Sequence, residues 1–532
     1  MNLIHKLKVK IKEYGFWGTT KRVCRYFHRY TIIVYENFLR KFFRTYANIA
    51  TKIEKSIQWA KNNVLQDGGI SVSTKERIAY PEVSGYFIPT LYQWGEKKLA
   101  KALAQWLISQ QNKDGSFSAP DGIPYTFDTG QVIRGFLTVI NDMPQVKQPL
   151  IKACDWLIKQ IDSNGKINTP SLKMWNNIAD DRIHLYVLSQ LVEAGKKLNK
   201  KKYIQSAYRA LEYYKKREDL LEFNTLSHFY GYILEALYDL EEYDLVNKAL
   251  KNTAKIQRKN GGIFAYPDSS WVCIPGTAQL AIVFYKAGMI KNGNKALRFL
   301  EKVQNSSGGF YGSIGLGADY FPFEEISWAV KFYLDACYWR IKASFDKNFD
   351  IFPETIDINE GRIQEIISFF GDINNKKVID IGCGKGRFMK KLKLMFPSAD
   401  LYGIDISEKM LQFDDSKQFN LSVENMLNIN YPQSFFDFVY CVESLEHAIR
   451  IERAIEEMCR ILKPGGKIVI IDKNIEKLGK MKIDPWEQWF KAKDVLEMLS
   501  RNKIKAEVKY ITYENYKKLD GLFLAWKGKK YE

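Results

Sequence analysis

No apolar run in this chain approaches the roughly 18 residues that a membrane-spanning helix needs. The N-terminus is basic, but its apolar stretch at Ile32 to Tyr35 is too short for the core of a secretory signal. Both absences lead us to expect a cytoplasmic protein. Cysteine is sparse and scattered. Cys24, Cys154, Cys273, Cys337, Cys383, Cys441 and Cys459 stand singly, with no CxxC pair. That excludes a disulfide framework, argues against structural zinc, and fits reduced thiols. Acidic residues are in deficit, and the net charge is +19. Disorder is excluded by a 46% hydrophobic content with 27% charged residues. A chain of 532 residues is too long for one ordinary core, so two or more domains are expected.

Part of the excess charge sits at the start. Residues 1–50 hold eleven Lys/Arg against two Glu, interleaved with aromatics such as Phe16, Trp17 and Phe42. A basic aromatic helix of this kind can lie peripherally on the anionic inner face of a membrane. It can equally pack its aromatic side on the following domain. No nucleic-acid-binding motif accompanies it, so no nucleic-acid partner is expected.

From residue 51 to 345 the sequence repeats. A Gln–x–polar–Gly turn follows a helical stretch at Gly68, Gly115, Gly165, Gly261 and Gly308, with spacings of 47, 50, 96 and 47. The double spacing implies a degenerate unit near Tyr213–Phe223, hence six units. Each turn leads to a polar–aromatic cluster and then an apolar helix, as in Val132, Ile133, Phe136, Leu137 and Ile140. Two helices per unit and six units predict an all-α (α/α)6 toroid. Glu82, Asp128, Asp181, His228, Trp271 and Glu325 occupy equivalent points at the starts of the second helices. They would converge on one mouth as a substrate-binding funnel whose acids and rings suit a polyhydroxylated ligand such as a glycan. The same residues are also ordinary helix caps and core aromatics.

The turns QQNKDGSF and VQNSSGGF resemble those of terpenoid-cyclase/prenyltransferase-like toroids, including squalene–hopene cyclases and protein prenyltransferase β-subunits. The resemblance is architectural. The cyclase acid motif is matched only by Asp180 and Asp181, and Asp268 and Cys273 are too far apart for the prenyltransferase zinc set, so no metal is expected.

After a linker at 346–359, a domain from 360 to 532 reads as an α/β Rossmann-like fold. KKVIDIGCGKGRF ends a strand in Asp380 and turns through Gly382, Cys383, Gly384 and Gly386 into a helix. A second strand ends in Asp405-Ile406, nineteen residues past Gly386, where an acid can hold ribose hydroxyls. A third ends near Asn425-Met426, a fourth in Glu443, and later segments complete seven strands. With SFFDFVYCVESLEHA and ILKPGGKIVI, the domain resembles class I S-adenosylmethionine-dependent methyltransferases of the ubiquinone/menaquinone-biosynthesis type. By that resemblance, Asp380 and the glycine turn hold the methionine end of S-adenosyl-L-methionine. Asp405 and Ile406 meet ribose and adenine, Asn425 meets the adenine amine through its side-chain oxygen, Met426 brackets the ring, and Glu443 lies beside the cofactor.

His447, the domain's one histidine, lies in the loop where acceptors enter and is the candidate general base. Trp486 and Trp489 are candidates for an acceptor lid. The first functional expectation is O-methylation of a glycan or lipid-linked saccharide held by the toroid. The second makes the toroid itself a lyase, hydrolase or epimerase, giving a bifunctional enzyme. The third makes the acceptor a terpenoid or isoprenoid quinone. The oligomeric state stays open.

Overall fold

The computed structural model describes residues 48–511, apart from 171, 172, 175, 176 and 179, and residues 521–531. The basic aromatic segment thus lies outside the described residues except at its end, where the first helix begins. Among the described residues no helix is long and apolar enough to cross a membrane.

Helices alternate through the first part of the chain. The first members of each pair are α1 (Ile49–Asn62), α3 (Lys97–Gln110), α5 (Lys147–Lys159), α7 (Lys201–Lys215), α9 (Tyr243–Ile256) and α11 (Ile290–Val303). The second members are α2 (Pro81–Gln93), α4 (Thr126–Val139), α6 (Leu188–Lys197), α8 (Ser227–Asp239), α10 (Ile274–Lys286) and α12 (Ser327–Lys347). A 3-10 turn at Asp181–Val187 precedes α6. The second helices pack side by side in sequence order, and α12 returns to α2, which closes a ring of helices.

The repeated glutamine and glycine have one physical role. Gln304 Nε2 donates to Gly308 O (3.3 Å) in its own turn and to Lys52 O (2.9 Å) on α1, joining the last unit to the first. Gln111 does the same to Gly115 O (3.0 Å) and Pro149 O (2.8 Å). Gly308 has φ +91°, and a Cβ there would meet Lys55 O at 2.3 Å, so glycine is needed for both conformation and close approach.

The second domain is a seven-stranded mixed sheet. Its strands are β1 (Lys377–Ile381), β2 (Asp400–Asp405), β3 (Asn420–Val423), β4 (Phe436–Val442), β5 (Leu462–Lys473), β6 (Ile504–Ile511) and β7 (Phe523–Lys530). Their order is β6-β7-β5-β4-β1-β2-β3, with β7 antiparallel to both neighbours and the other pairs parallel. Helices α13 (Gly361–Phe370), α14 (Arg387–Met395), α15 (Ile451–Ile461) and α16 (Ala492–Arg501) accompany it. Strand order reverses between β1 and β4, which opens a ligand crevice beyond their carboxyl ends. The expected linker is not a free tether. Helix α12 runs through Lys347, and Phe352 and Pro353 beyond it line the cavity at that crevice.

Candidate functional site

The turn after β1 is built by backbone hydrogen bonds. Gly382 N and Cys383 N donate to Ile404 O at 2.8 and 3.0 Å. Gly384 N and Ser407 N donate to the two carboxylate oxygens of Asp405, each at 2.9 Å. Gly382, Gly384 and Gly386 all have positive φ. A Cβ on Gly384 would meet nothing within 4 Å, so its backbone faces open space. A Cβ on Gly386 would instead meet the Phe413 ring at 2.7 Å.

That open space is a cavity of about 300 Å³. Asp380, the glycine turn, Asp405, Ile406, Asn425, Met426, Glu443 and His447 line it together. Asp380 is buried, and its Oδ2 has no hydrogen-bond partner. Burial pushes its carboxyl up to about 8. Burial likewise raises Asp405. A buried acid with an unpartnered oxygen, a second acid at the next strand end and a bare glycine backbone suit a cationic nucleoside ligand.

Asn425 differs from expectation. Its side-chain oxygen accepts from Leu427 N (2.9 Å) and its amide donates to Gln93 O on the helical ring (2.8 Å). The side chain shapes its own turn and ties it to the neighbouring domain. Glu443, at φ +51°, accepts from Arg362 and from Arg387 Nη2 (2.6 Å). Arg387 also lines the cavity, a site residue the motif reading missed although it directly follows the glycine turn.

His447 Nε2 lies 3.3 Å from Glu446 Oε1, which also accepts from Lys473. Burial would raise Glu446, but the His447 hydrogen bond and Lys473 outweigh it and hold the carboxyl down to about 2. A fixed carboxylate at Nε2 favours the tautomer that leaves the lone pair on Nδ1. Nδ1 is buried without a partner.

The far wall of the cavity comes from the ring of helices. Trp94, Tyr338, Ile341 and Phe345 line it, followed by Phe352 and Pro353. Phe345 meets the His447 ring edge-on at 5.0 Å. Arg450, three residues after His447, donates to Trp94 O and pairs with Glu96 (2.9 Å). Trp486 lies under Arg340 of α12 at 5.3 Å, while Trp489 Nε1 donates to Glu487 at 2.6 Å. These wall residues carry no motif, because their role depends on how two domains dock.

All these ring residues lie at or beyond the C-terminal parts of α2 and α12. The six cluster residues lie at the opposite mouth. Helix α2, with 13 residues, separates the mouths by about 20 Å at 1.5 Å per residue. Aromatic rings pack together inside the ring of helices. Tyr232 lies 4.5 Å from His228, 4.7 Å from Tyr186 and 4.9 Å from Phe127. The six have partners of their own. Glu82 and Asp128 are linked through Tyr80, whose hydroxyl donates to Asp128 at 2.7 Å. His228 is one of the packed rings. Asp181 pairs with Arg217 (2.6 Å). Glu325 accepts from Trp59 Nε1 (2.6 Å) and Asn305 Nδ2 (2.8 Å), so it braces the Gly308 turn. Trp271 packs on Tyr266 at 6.0 Å.

Known proteins resemble the second domain. A family model described as a methyltransferase domain matches residues 379–470. The demethylmenaquinone methyltransferase of a Geobacillus species is 32% identical over 105 residues, which are 18% of this chain and 45% of that enzyme. An uncharacterized protein of Methanocaldococcus jannaschii is 30% identical over 165 residues, 29% of this chain and 78% of that one. A solved methyltransferase, in complex with the Haloferax volcanii Trm112 activator, has 16% identity and a TM-score of 0.32, over 37% of this chain and 98% of its own. Residues 379–470 thus form a methyltransferase domain, with S-adenosyl-L-methionine as its cofactor, and the chain spans less than half the length of the demethylmenaquinone methyltransferase it matches.

Proposed function

We propose that the protein methylates a hydroxyl on an acceptor whose reacting end is aromatic or isoprenoid, the quinone-type alternative among the expectations above. The observation that carries this is the wall of Trp94, Tyr338, Ile341, Phe345 and Phe352, which faces the cofactor crevice across the cavity. Planar or apolar groups bury favourably against such a surface. The partial likeness to a ubiquinone biosynthesis O-methyltransferase of Alkalilimnicola ehrlichii, 28% identical over 122 residues, agrees with it.

In this reading S-adenosylmethionine supplies an already activated sulfonium methyl group. The chain contributes position and proton control. Asp380 and the Gly382–Gly384 backbone hold the methionine end, with Arg387 and Glu443 beside it. Asp405 receives the ribose. His447 Nδ1 takes the acceptor's proton, and Glu446 steadies the resulting imidazolium.

Helices α1–α12 form a terpenoid-cyclase-like (α/α)6 toroid in this account, with its C-terminal mouth serving as the acceptor wall. The saccharide reading stays second. Its support is the acid and aromatic content of the N-terminal mouth, which the length of α2 holds about 20 Å from the cofactor end. The toroid as a lyase, hydrolase or epimerase would draw on the Glu82–Asp128 pair. Contact of the basic N-terminal segment with anionic membrane is part of the proposal, since an isoprenoid acceptor resides there.

Incubation with methyl-labelled S-adenosylmethionine and separated lipid, glycan, nucleic-acid and protein extracts of the source cells tests the acceptor class. Label in a redox-active or isoprenoid lipid fraction is expected. Label in glycan would replace this reading with the second, and label in nucleic acid or protein would refute both.

A further inference from the structure

Among the described residues, the N-terminal mouth of the ring holds two buried carboxyls with no cation to balance them. Glu82 is 7% exposed and Asp128 is fully buried. Among the described residues neither forms an ion pair with a lysine or arginine. Burial pushes Glu82 up to about 7, and burial with the neighbouring Glu82 charge raises Asp128 as well.

The contrast with the deeper ring is direct. Glu235, also buried, accepts from Lys286 (3.1 Å) and Gln279 (3.0 Å). Those partners, with Lys331 and Arg134, hold it down to about 2 against burial. Asp335 is matched to Lys331 at 2.9 Å and to Thr90 at 2.7 Å. The fold therefore compensates buried acids one layer down and leaves these two uncompensated.

An independent observation points to a ligand. One turn below Asp128, on the same face of α4, the fully buried Gln131 has a side-chain oxygen without a partner. Asp128 Oδ1 has none either. Both are acceptors, and buried acceptors are almost always satisfied by a donor. Tyr86, Tyr232 and Tyr320 lie near enough to Glu82 to feel its charge. Carboxylates, empty acceptors and aromatic faces together match one chemistry, a protonated amine. It donates several hydrogen bonds, neutralises the acids, and is attracted to ring faces.

We propose that the N-terminal mouth is a second ligand site, selective for an organic ammonium ion and separate from the methyl-transfer chamber. Its occupant meets Glu82, Asp128 and Gln131 through its ammonium group and the tyrosines through its carbon body. The proposal is independent of the acceptor assigned above.

Calorimetric titration of the full-length protein with butylammonium tests it, with 1-butanol as the uncharged counterpart and methyl glucoside as a polyol. Butylammonium should bind at least about tenfold more tightly than butanol, since a charge-assisted contact far exceeds a neutral one. Glu82→Gln or Asp128→Asn should remove most of that preference while leaving S-adenosylhomocysteine affinity unchanged, which certifies the fold. Should either variant fail to fold, the comparison of butylammonium with butanol on the native chain still decides. Equal binding of amine and alcohol, no binding of the amine, tighter binding of the glucoside, or a preference that survives both substitutions would overturn the proposal.

Discussion

The two mouths of the helical ring are made by the same helices and do different things. At the C-terminal mouth, α2 and α12 end in Trp94, Tyr338 and Phe345, which complete a cavity begun by the methyltransferase sheet. At the N-terminal mouth the same helices begin at Pro81 and Ser327, near acids and rings that do not line that cavity. The chemistry of a repeat protein is thus set by which end is docked against something else. Repeat-wide features, such as the Gln–Gly turns, serve ring closure.

The largest test of this division is His447→Ala. Turnover should fall by about 10²–10⁴-fold, the usual contribution of a positioned base. Cofactor affinity measured by calorimetry should be unchanged. Unaltered turnover would remove His447 from the mechanism.

A second test uses pH. Asp380 must ionise to meet the cationic methionine end, and burial places its carboxyl near about 8. Cofactor affinity should therefore rise toward alkaline pH, by up to about tenfold per unit below that value, and then level off. Asp380→Asn should flatten the profile. A wild-type affinity that does not vary over the ~2 pH units below that carboxyl's value would contradict the role.

Arg450→Ala addresses the docking itself. It removes contacts to Trp94 O and Glu96 from the loop that carries His447. Partly buried charged hydrogen bonds of this kind contribute about 1.5–3 kcal/mol. Thermal unfolding should show a loss of this order and acceptor KM should rise several-fold. A neutral outcome would mean that the two domains dock through their apolar contacts alone.

The smallest effect is at the other mouth. Glu82 has a folded-state pKa raised above its unfolded one, so it favours the folded state at low pH and loses that contribution as pH rises to about 7. Glu82→Gln should stabilise the ligand-free protein above that pH, by on the order of 3 kcal/mol, and change little near pH 4. Glu235, whose carboxyl is held down to about 2, has the opposite sign: its contribution is present above the ordinary carboxylate range and is lost as pH falls through that value. Opposite responses of Glu82→Gln and Glu235→Gln in thermal melts would confirm that the layers differ in charge compensation, and parallel responses would refute it.

The sheet was legible because its signals are local. Asp380, the glycine turn, Asp405 and Glu443 each stand at the end of an apolar run, and a strand end is readable from its own neighbours. The repeat was legible for the same reason, since a glutamine and a glycine four residues apart close one turn. The orientation of the ring was not legible. Asp181 and Glu325 look like their cluster partners in sequence, yet long-range partners, Arg217 and Trp59, draw them into braces. Asn425 reads as an adenine contact, whereas its amide is taken by Gln93, more than three hundred residues earlier. No periodicity reports which surface two domains will share, and the acceptor wall is made of that surface.

Phe345→Ala tests the central claim most directly. It opens the wall opposite His447 while leaving every cofactor contact in place. With the labelled acceptor fraction as substrate, KM should rise about tenfold, as expected for losing a buried ring, and cofactor affinity should not change. An unchanged KM in Phe345→Ala, beside a raised KM in the opposite-mouth variant Glu325→Ala, would show that the acceptor is held at the other end of the ring and that the account is wrong.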